Sequence, residues 1–152
     1  DIAAAIFGTV AAGIYTHGTT VDTVTDSIGN TQTVRFTRPT EINIYVDIDV
    51  TYNPAIYTSG ATALSTEIKQ SIVDTGDDYD VGDDVKERRV AASVFERDDA
   101  TGLPFIPGIV DVTDCDVGTA PGPSGSSVTI GVRELARFDS SRITVNLSTG
   151  SL

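Results

Sequence analysis

Three sets of residues in this sequence carry side chains able to bind or react. The first is the acidic run from Asp74 to Asp84, DTGDDYDVGDD. Asp78 and Asp80 stand two apart, with Asp83 close behind, as in the opening of a calcium loop. An EF-hand then needs a third oxygen ligand at the fifth position, glycine at the sixth and glutamate at the twelfth. Here Gly82 takes the fifth and Arg89 the twelfth, so that pattern fails. Asp78, Asp80 and Asp83 stay as candidates for a calcium site of another kind. The competing reading is a solvated loop whose last aspartates cap a helix and favour its positive end. The second set is His17 and Cys115, one of each in the chain. A single histidine makes neither a triad nor a tetrahedral metal site. Cys115 lies between Asp114 and Asp116. Flanking carboxylates raise a thiol's pKa, so it reads as a small hydrophobe packed in a strand. The third set is Glu41, Tyr45, Asp47 and Asp49, which alternate with apolar residues in EINIYVDIDVT.

No catalytic set emerges from these groups. The Gly-Thr-Thr and Gly-Pro-Ser-Gly stretches are not followed by Gly-Lys-Ser/Thr, so no phosphate loop is formed. Acid pairs abound, but glycoside hydrolysis needs two carboxylates held ~5–9 Å apart, a spacing the sequence does not fix. Trp is absent and aromatics are 7%, which lowers the case for a sugar platform. The expectation is a non-enzyme with no cofactor and no small-molecule substrate. A net charge of −12 argues against nucleic acid and anionic membranes, whose phosphates need clustered Lys and Arg. It suits solubility, a salty environment or divalent cations.

The elements that must position these residues are legible in outline. Ile2, Ala5, Ile6, Thr9 and Val10 recur at helical spacing, with Ala12-Gly13 as a stop. Two β-rich runs, Val21–Thr25 and Thr31–Thr37, flank DSIGN and predict a hairpin over about 21–37. Ile42, Ile44, Val46, Ile48 and Val50 alternate with polar residues over 41–51. That period of two predicts one long antiparallel strand with a buried and a wet face, ended by Asn53-Pro54. Leu64, Ile68 and Ile72 predict a helix from about Thr62 to Val73. Asp84-Val85-Lys86-Glu87 has capping-box spacing and predicts a second helix to about Phe95, with Val90, Ala91, Val94 and Phe95 inward. ERDDATGLPFIPG is a connector. Strands are predicted at Ile109–Val117, Val128–Val132 and Arg142–Leu147, with a helical turn at Glu134–Phe138. GTAPGPSGSS between them is a loop that is mobile or bears an interaction. The 152 residues suit a single α+β domain, 1–152. Its sheet is mainly antiparallel, with the long strand in the centre and two to three helices packed on one face. Met is absent and the chain opens inside a helical pattern, which implies a fragment or processed piece of a longer protein.

One further pattern is carried by AAGIYTHGTT and VTDSIGNTQTVRFTRPTEINIYVDIDV. A helix leads into Ala12-Gly13-Ile14, Thr16 and Gly18, then a hairpin, then Val34-Arg35-Phe36 with Arg38-Pro39, then the alternating strand. VGDDV at Val81–Val85 precedes a helix, and ELARFDSSRITV at Glu134–Val145 precedes the last strand. In this order the motifs resemble the C-terminal region of the baseplate J-like family, the wedge proteins of contractile phage tails of the Mu and P2 kind. The resemblance spans nearly the whole chain and implies a structural part of a tail baseplate, in a phage, a prophage or a contractile injection system. Such a protein is made in the host cytoplasm and resides in the virion. It implies contacts with other wedge and hub proteins, and self-association as a dimer or ring. On that expectation the contact elements are the hairpin loop Asp26–Asn30, the strand Ile42–Val50 and the loop Thr119–Ser127, with Tyr45, Asp47, Ile28, Asn30 and Arg38 as interface candidates. Tyrosine is a common anchor of protein interfaces. The alternative is an extracellular binding or adhesion module stabilised by calcium, supported by the acidic loop and Thr-rich strands.

Overall fold

The computed structural model describes residues 1–10, 15–95 and 106–151. The helix stop assigned to Ala12-Gly13 and most of the connector that begins at Glu96 lie outside the described residues. The fold is α+β, with small mixed sheets that are mostly antiparallel. The chain divides into two compact units, Asp1–Pro39 and Thr40–Leu152.

In the first unit, helix α1 spans Ile2–Thr9 and is capped by the Asp1 carboxylate, which accepts from the Ala3 N–H at 3.1 Å. Strands β1 (Thr20–Thr25) and β2 (Thr31–Phe36) form the predicted antiparallel hairpin. Its turn closes with the Asp26 N–H donating to the Asn30 carbonyl. Asp26 then accepts from the Ile28 and Asn30 N–H groups through one side-chain oxygen. These bonds, that of Asn30 first, hold the exposed Asp26 carboxyl below its ordinary pKa. Gly29, at φ 88°, takes the left-handed position such a three-residue loop requires. Ala3, Val34 and Phe36 make a small core, with Ile6 and Val24 against it. Gly18 passes so close to Phe36 that a Cβ there would sit 2.1 Å from the Phe36 carbonyl carbon.

In the second unit the chain runs β3 (Thr40–Asn43), β4 (Tyr45–Tyr52), α2 (Ala61–Asp77), β5 (Val85–Lys86) and α3 (Glu87–Ser93). It continues with β6 (Ile109–Gly118), β7 (Ser127–Val128), β8 (Glu134–Arg137), a 3₁₀ turn at Ser140–Arg142 and β9 (Ile143–Thr149). β4 is the centre of a three-stranded sheet in the order β6-β4-β9, antiparallel to β6 and parallel to β9. Ile44, Val46, Ile48 and Val50 are almost wholly buried on one face. Cys115 and Val117 of β6 and Ile143 of β9 share that core. Leu64, Ile68 and Ile72 of α2 and Val90 of α3, with Val94 just beyond it, close over it. The i, i+4, i+8 stripe of α2 and the period of two in β4 are thus the two halves of one core.

Several expectations give way to tertiary structure. The long strand 41–51 is interrupted: its ladder breaks at Ile44, so β3 pairs with β8 and β4 with β9, both parallel. The cause is the partner. Between β8 and β9 it inserts the 3₁₀ turn, so no continuous strand faces Ile44, whose N–H donates to the Arg137 carbonyl at 3.0 Å. The side-chain alternation survives the break. Glu134–Arg137 is a strand, not a helical turn. So short a segment does not nucleate a helix by itself, whereas as β8 it satisfies β3 and buries Ala136.

The first residues of the acidic run, Asp74–Asp77, continue α2 rather than a loop. Thr75 and Gly76 are buried there. The missing Gly76 side chain admits the Phe138 ring, which a Cβ would meet at 2.6 Å. Asp84 does not cap α3. Its carboxylate accepts the Ile130 N–H at 3.0 Å, and α3 begins at Glu87 with no side-chain cap. The strand predicted at Val128–Val132 is therefore only Ser127–Val128, paired with β5. Beyond it, Ile130 and Gly131 donate to Asp84 and Glu134 instead of to a ladder. Phe95 lies past the end of α3 and is exposed, not inward.

Candidate functional site

The face of the central sheet opposite the helices is built by alternation alone. Tyr45, Asp47, Asp49 and Thr51 of β4 point there and are half-buried. Register fixes their neighbours. On β6, Gly118 lies opposite Tyr45, Asp116 opposite Asp47, Asp114 opposite Asp49 and Asp111 opposite Thr51. On β9, Thr144, Asn146 and Ser148 lie opposite Asp47, Asp49 and Thr51. Two rows of aspartates therefore cross adjacent strands. Like charges directly opposite one another destabilise a sheet. A single donor offsets part of this: the Asn146 amide donates to Asp47 Oδ1 at 2.8 Å and to Asp49 Oδ1 at 2.7 Å. Asp114 turns one oxygen back to the Cys115 N–H at 2.9 Å. Among the described residues, no Lys or Arg makes a salt bridge with Asp47, Asp49, Asp114 or Asp116. Thr113 is the extra residue of a bulge in β6, and its hydroxyl donates to the Asp49 carbonyl at 3.3 Å.

Chemically, this face can accept hydrogen bonds and attract cationic groups. Among the described residues no three His, Cys, Asp or Glu side chains gather as a metal-binding set. Asp78 ends α2, while Asp80 and Asp83 form a turn closed by their own backbone and side-chain bonds. The nearby cation is Arg89, 3.9 Å from the Asp83 carboxylate, donating to the Asp78 carbonyl and stacked 3.9 Å above the Tyr79 ring. Burial pushes the Tyr79 hydroxyl's pKa up, against the opposing pull of Arg89.

Cys115 points to the opposite, apolar face. Burial pushes its thiol up to about 12, helped by the carboxylates of Glu87, Asp116, Asp114 and Asp47. A thiol held protonated in this way is a packing group and not a nucleophile. His17 is exposed in the loop before β1.

Of the interface candidates, Tyr45 and Asp47 share the acidic face. Ile28, Asn30 and Arg38 belong to the Asp1–Pro39 unit. Ile28 is 81% exposed at the hairpin tip with Asn30 beside it. Arg38 is exposed, its guanidinium 5.6 Å from the centre of the Phe36 ring. Reading the sequence alone missed Asn146 and the pairing of Asp114 and Asp116 with Asp49 and Asp47. The alternation Asp114-Cys115-Asp116 matches Asp47-Ile48-Asp49, but only register shows that the two lie side by side.

No family model matches the chain, and no curated protein matches it significantly.

Proposed function

We propose that this chain is an assembly domain that works through protein–protein contacts, as a structural part of a contractile-tail baseplate wedge. Its partners are the other wedge and hub proteins together with further copies of itself, and its place is the tail baseplate of the virion. One observation carries the contact function: a sheet face with Asp47, Asp49, Asp114 and Asp116 in two facing rows, none of which makes a salt bridge with a Lys or Arg among the described residues. Such a face has a cost to the free domain that a complementary partner removes. Tyr45, half-buried at its end, supplies an amphipathic anchor. The baseplate identity is supported by the ordered motifs from Gly13 to Pro39, Val81 to Val85 and Glu134 to Val145.

The test is mass spectrometry of purified tail particles from cells that produce this chain, with carboxylate-directed cross-linking. The expected result is the chain present at fixed stoichiometry, with cross-links from Asp47, Asp49, Asp114 or Asp116 to another tail protein. Its absence from intact tails sinks the proposal.

A further inference from the structure

β9 ends the β6-β4-β9 sheet, and among the described residues no strand pairs with its far side. The Gly150 N–H donates to the Tyr52 carbonyl at 2.9 Å, which sets the parity of this parallel ladder. Thr144, Asn146 and Ser148 turn their N–H and C=O toward β4. Val145, Leu147 and Thr149 turn theirs outward, and no described residue bonds them.

Several outward-facing groups on other edges are closed within the chain. On β6, the Val117 N–H goes to the Gly125 carbonyl and the Cys115 N–H to the Asp114 side chain. On β1, Thr23 donates to the Asp22 carboxylate; on β2, Arg35 donates to the Thr16 hydroxyl. On β8, the Glu134 carbonyl accepts from Gly82. On β9 the Ile143 N–H goes to the Ser140 carbonyl, but among the described residues nothing closes Val145, Leu147 or Thr149, and ITVNLST contains no charge, proline or glycine. Charge, proline and bulges are the usual defences of an edge, and without them the edge is a template for another strand.

The two faces of the sheet state what that strand must carry. On one face it lies beside Val145 and Leu147, both partly buried at the rim of the core. On the other it lies beside Thr144, Asn146 and Ser148, about 10 Å (two strand spacings) from Asp47 and Asp49. Long cationic side chains span most of that gap. A second copy of this chain brings a net charge of −12 and a β9 without a basic residue, so it does not complement the face. We propose that β9 accepts, by strand addition, an extended segment of a different protein in which apolar residues alternate with Lys or Arg. This rests on the assembly reading of the same sheet and adds the chemistry of the partner.

The experiment uses the 152-residue chain, isotope-labelled, and an eight-residue peptide alternating Lys with Val. Two controls are a Glu/Val peptide and a Lys/Val peptide with every amide N-methylated. Amide exchange at Val145, Leu147 and Thr149 is expected to slow by about tenfold or more with the Lys/Val peptide. The Glu/Val peptide is expected to bind about tenfold more weakly, and the N-methylated one to give no protection. With Asp47→Asn and Asp49→Asn together, the preference for Lys over Glu shrinks while the protection remains.

Three results overturn the proposal: no protection of β9 at millimolar peptide, equal binding of the Glu/Val peptide, or protection that rises with protein concentration in the absence of peptide, which assigns the edge to a second copy. If the chain is found in tail particles while its β9 amides stay unprotected, strand addition fails and the assembly reading stands. If it is absent from tails yet protects β9 with the peptide, the reverse holds.

Discussion

Replacing Asn146 by alanine tests the electrostatic account of the acidic face most directly. Its amide makes two bonds, 2.8 Å to Asp47 and 2.7 Å to Asp49. A hydrogen bond to a charged group contributes roughly 1.5–3 kcal/mol when its loss leaves the partner dry. Here both carboxylates reach water, so the pair together contributes about 1 kcal/mol. Asp47 and Asp49 stand two residues apart on one face, roughly 6.6 Å at ~3.3 Å per residue. At that distance two unit charges repel by ~0.6 kcal/mol in water, and more near a protein surface. Removing the bridging amide exposes this repulsion, so Asn146→Ala is expected to cost about 1–2 kcal/mol in total.

The assay is urea unfolding at neutral pH in low salt and in 1 M salt, with the slope checked for constancy. About a third of the loss should vanish in 1 M salt, where charges are screened beyond ~3 Å. In a background of Asp47→Asn and Asp49→Asn the cost of Asn146→Ala should fall by half or more, because neutral acceptors hold the amide more weakly and no longer repel. A loss below ~0.3 kcal/mol, or one equal in both backgrounds, refutes the reasoning.

Three further outcomes are expected. Ile48→Ala empties a site that is 0% exposed at the centre of the sheet and should cost roughly 2–5 kcal/mol by chemical denaturation. Gly18→Ala places a methyl 2.1 Å from the Phe36 backbone, which cannot yield as a side chain can, so the hairpin amides from Thr20 to Phe36 should lose their exchange protection while β4 amides keep theirs. The Cys115 thiol is raised from 9.0 to about 12: between those values the unfolded chain releases a proton that the folded chain retains, so stability is full below pH 9 and falls as pH rises toward 12. Cys115→Ala should flatten that alkaline decline, and in the wild type the thiol should resist disulfide reagents at neutral pH until urea unfolds the chain; fast native reaction contradicts the burial.

The sequence by itself determined the elements whose signal is local and periodic. Two-residue alternation from Ile42 to Val50 sorted the side chains of β3 and β4 into a core face and a wet face. The Leu64, Ile68, Ile72 stripe identified α2, and DSIGN between Thr-rich runs identified the hairpin. These signals are strong because each residue's face follows from backbone geometry alone. Cys115 was equally legible, since the charge of its neighbours and its place in a strand both spoke for a packed thiol, and it is buried.

What only the tertiary structure decided is who stands beside whom. The break at Ile44 is imposed by the 3₁₀ insertion between β8 and β9, nearly a hundred residues along the chain. Asp84 has the spacing of a helix cap yet serves Ile130, because the partly buried N–H there has no ladder partner. Glu134–Arg137 has helical composition yet becomes a strand, because β3 needs one. The acidic face belongs to the same class. Each aspartate is plain in the text, but their opposition depends on a register and on a bulge at Thr113 that no local pattern encodes. Side-chain direction is a property of one segment and is written in it, whereas pairing is a property of two segments and is settled only when they meet.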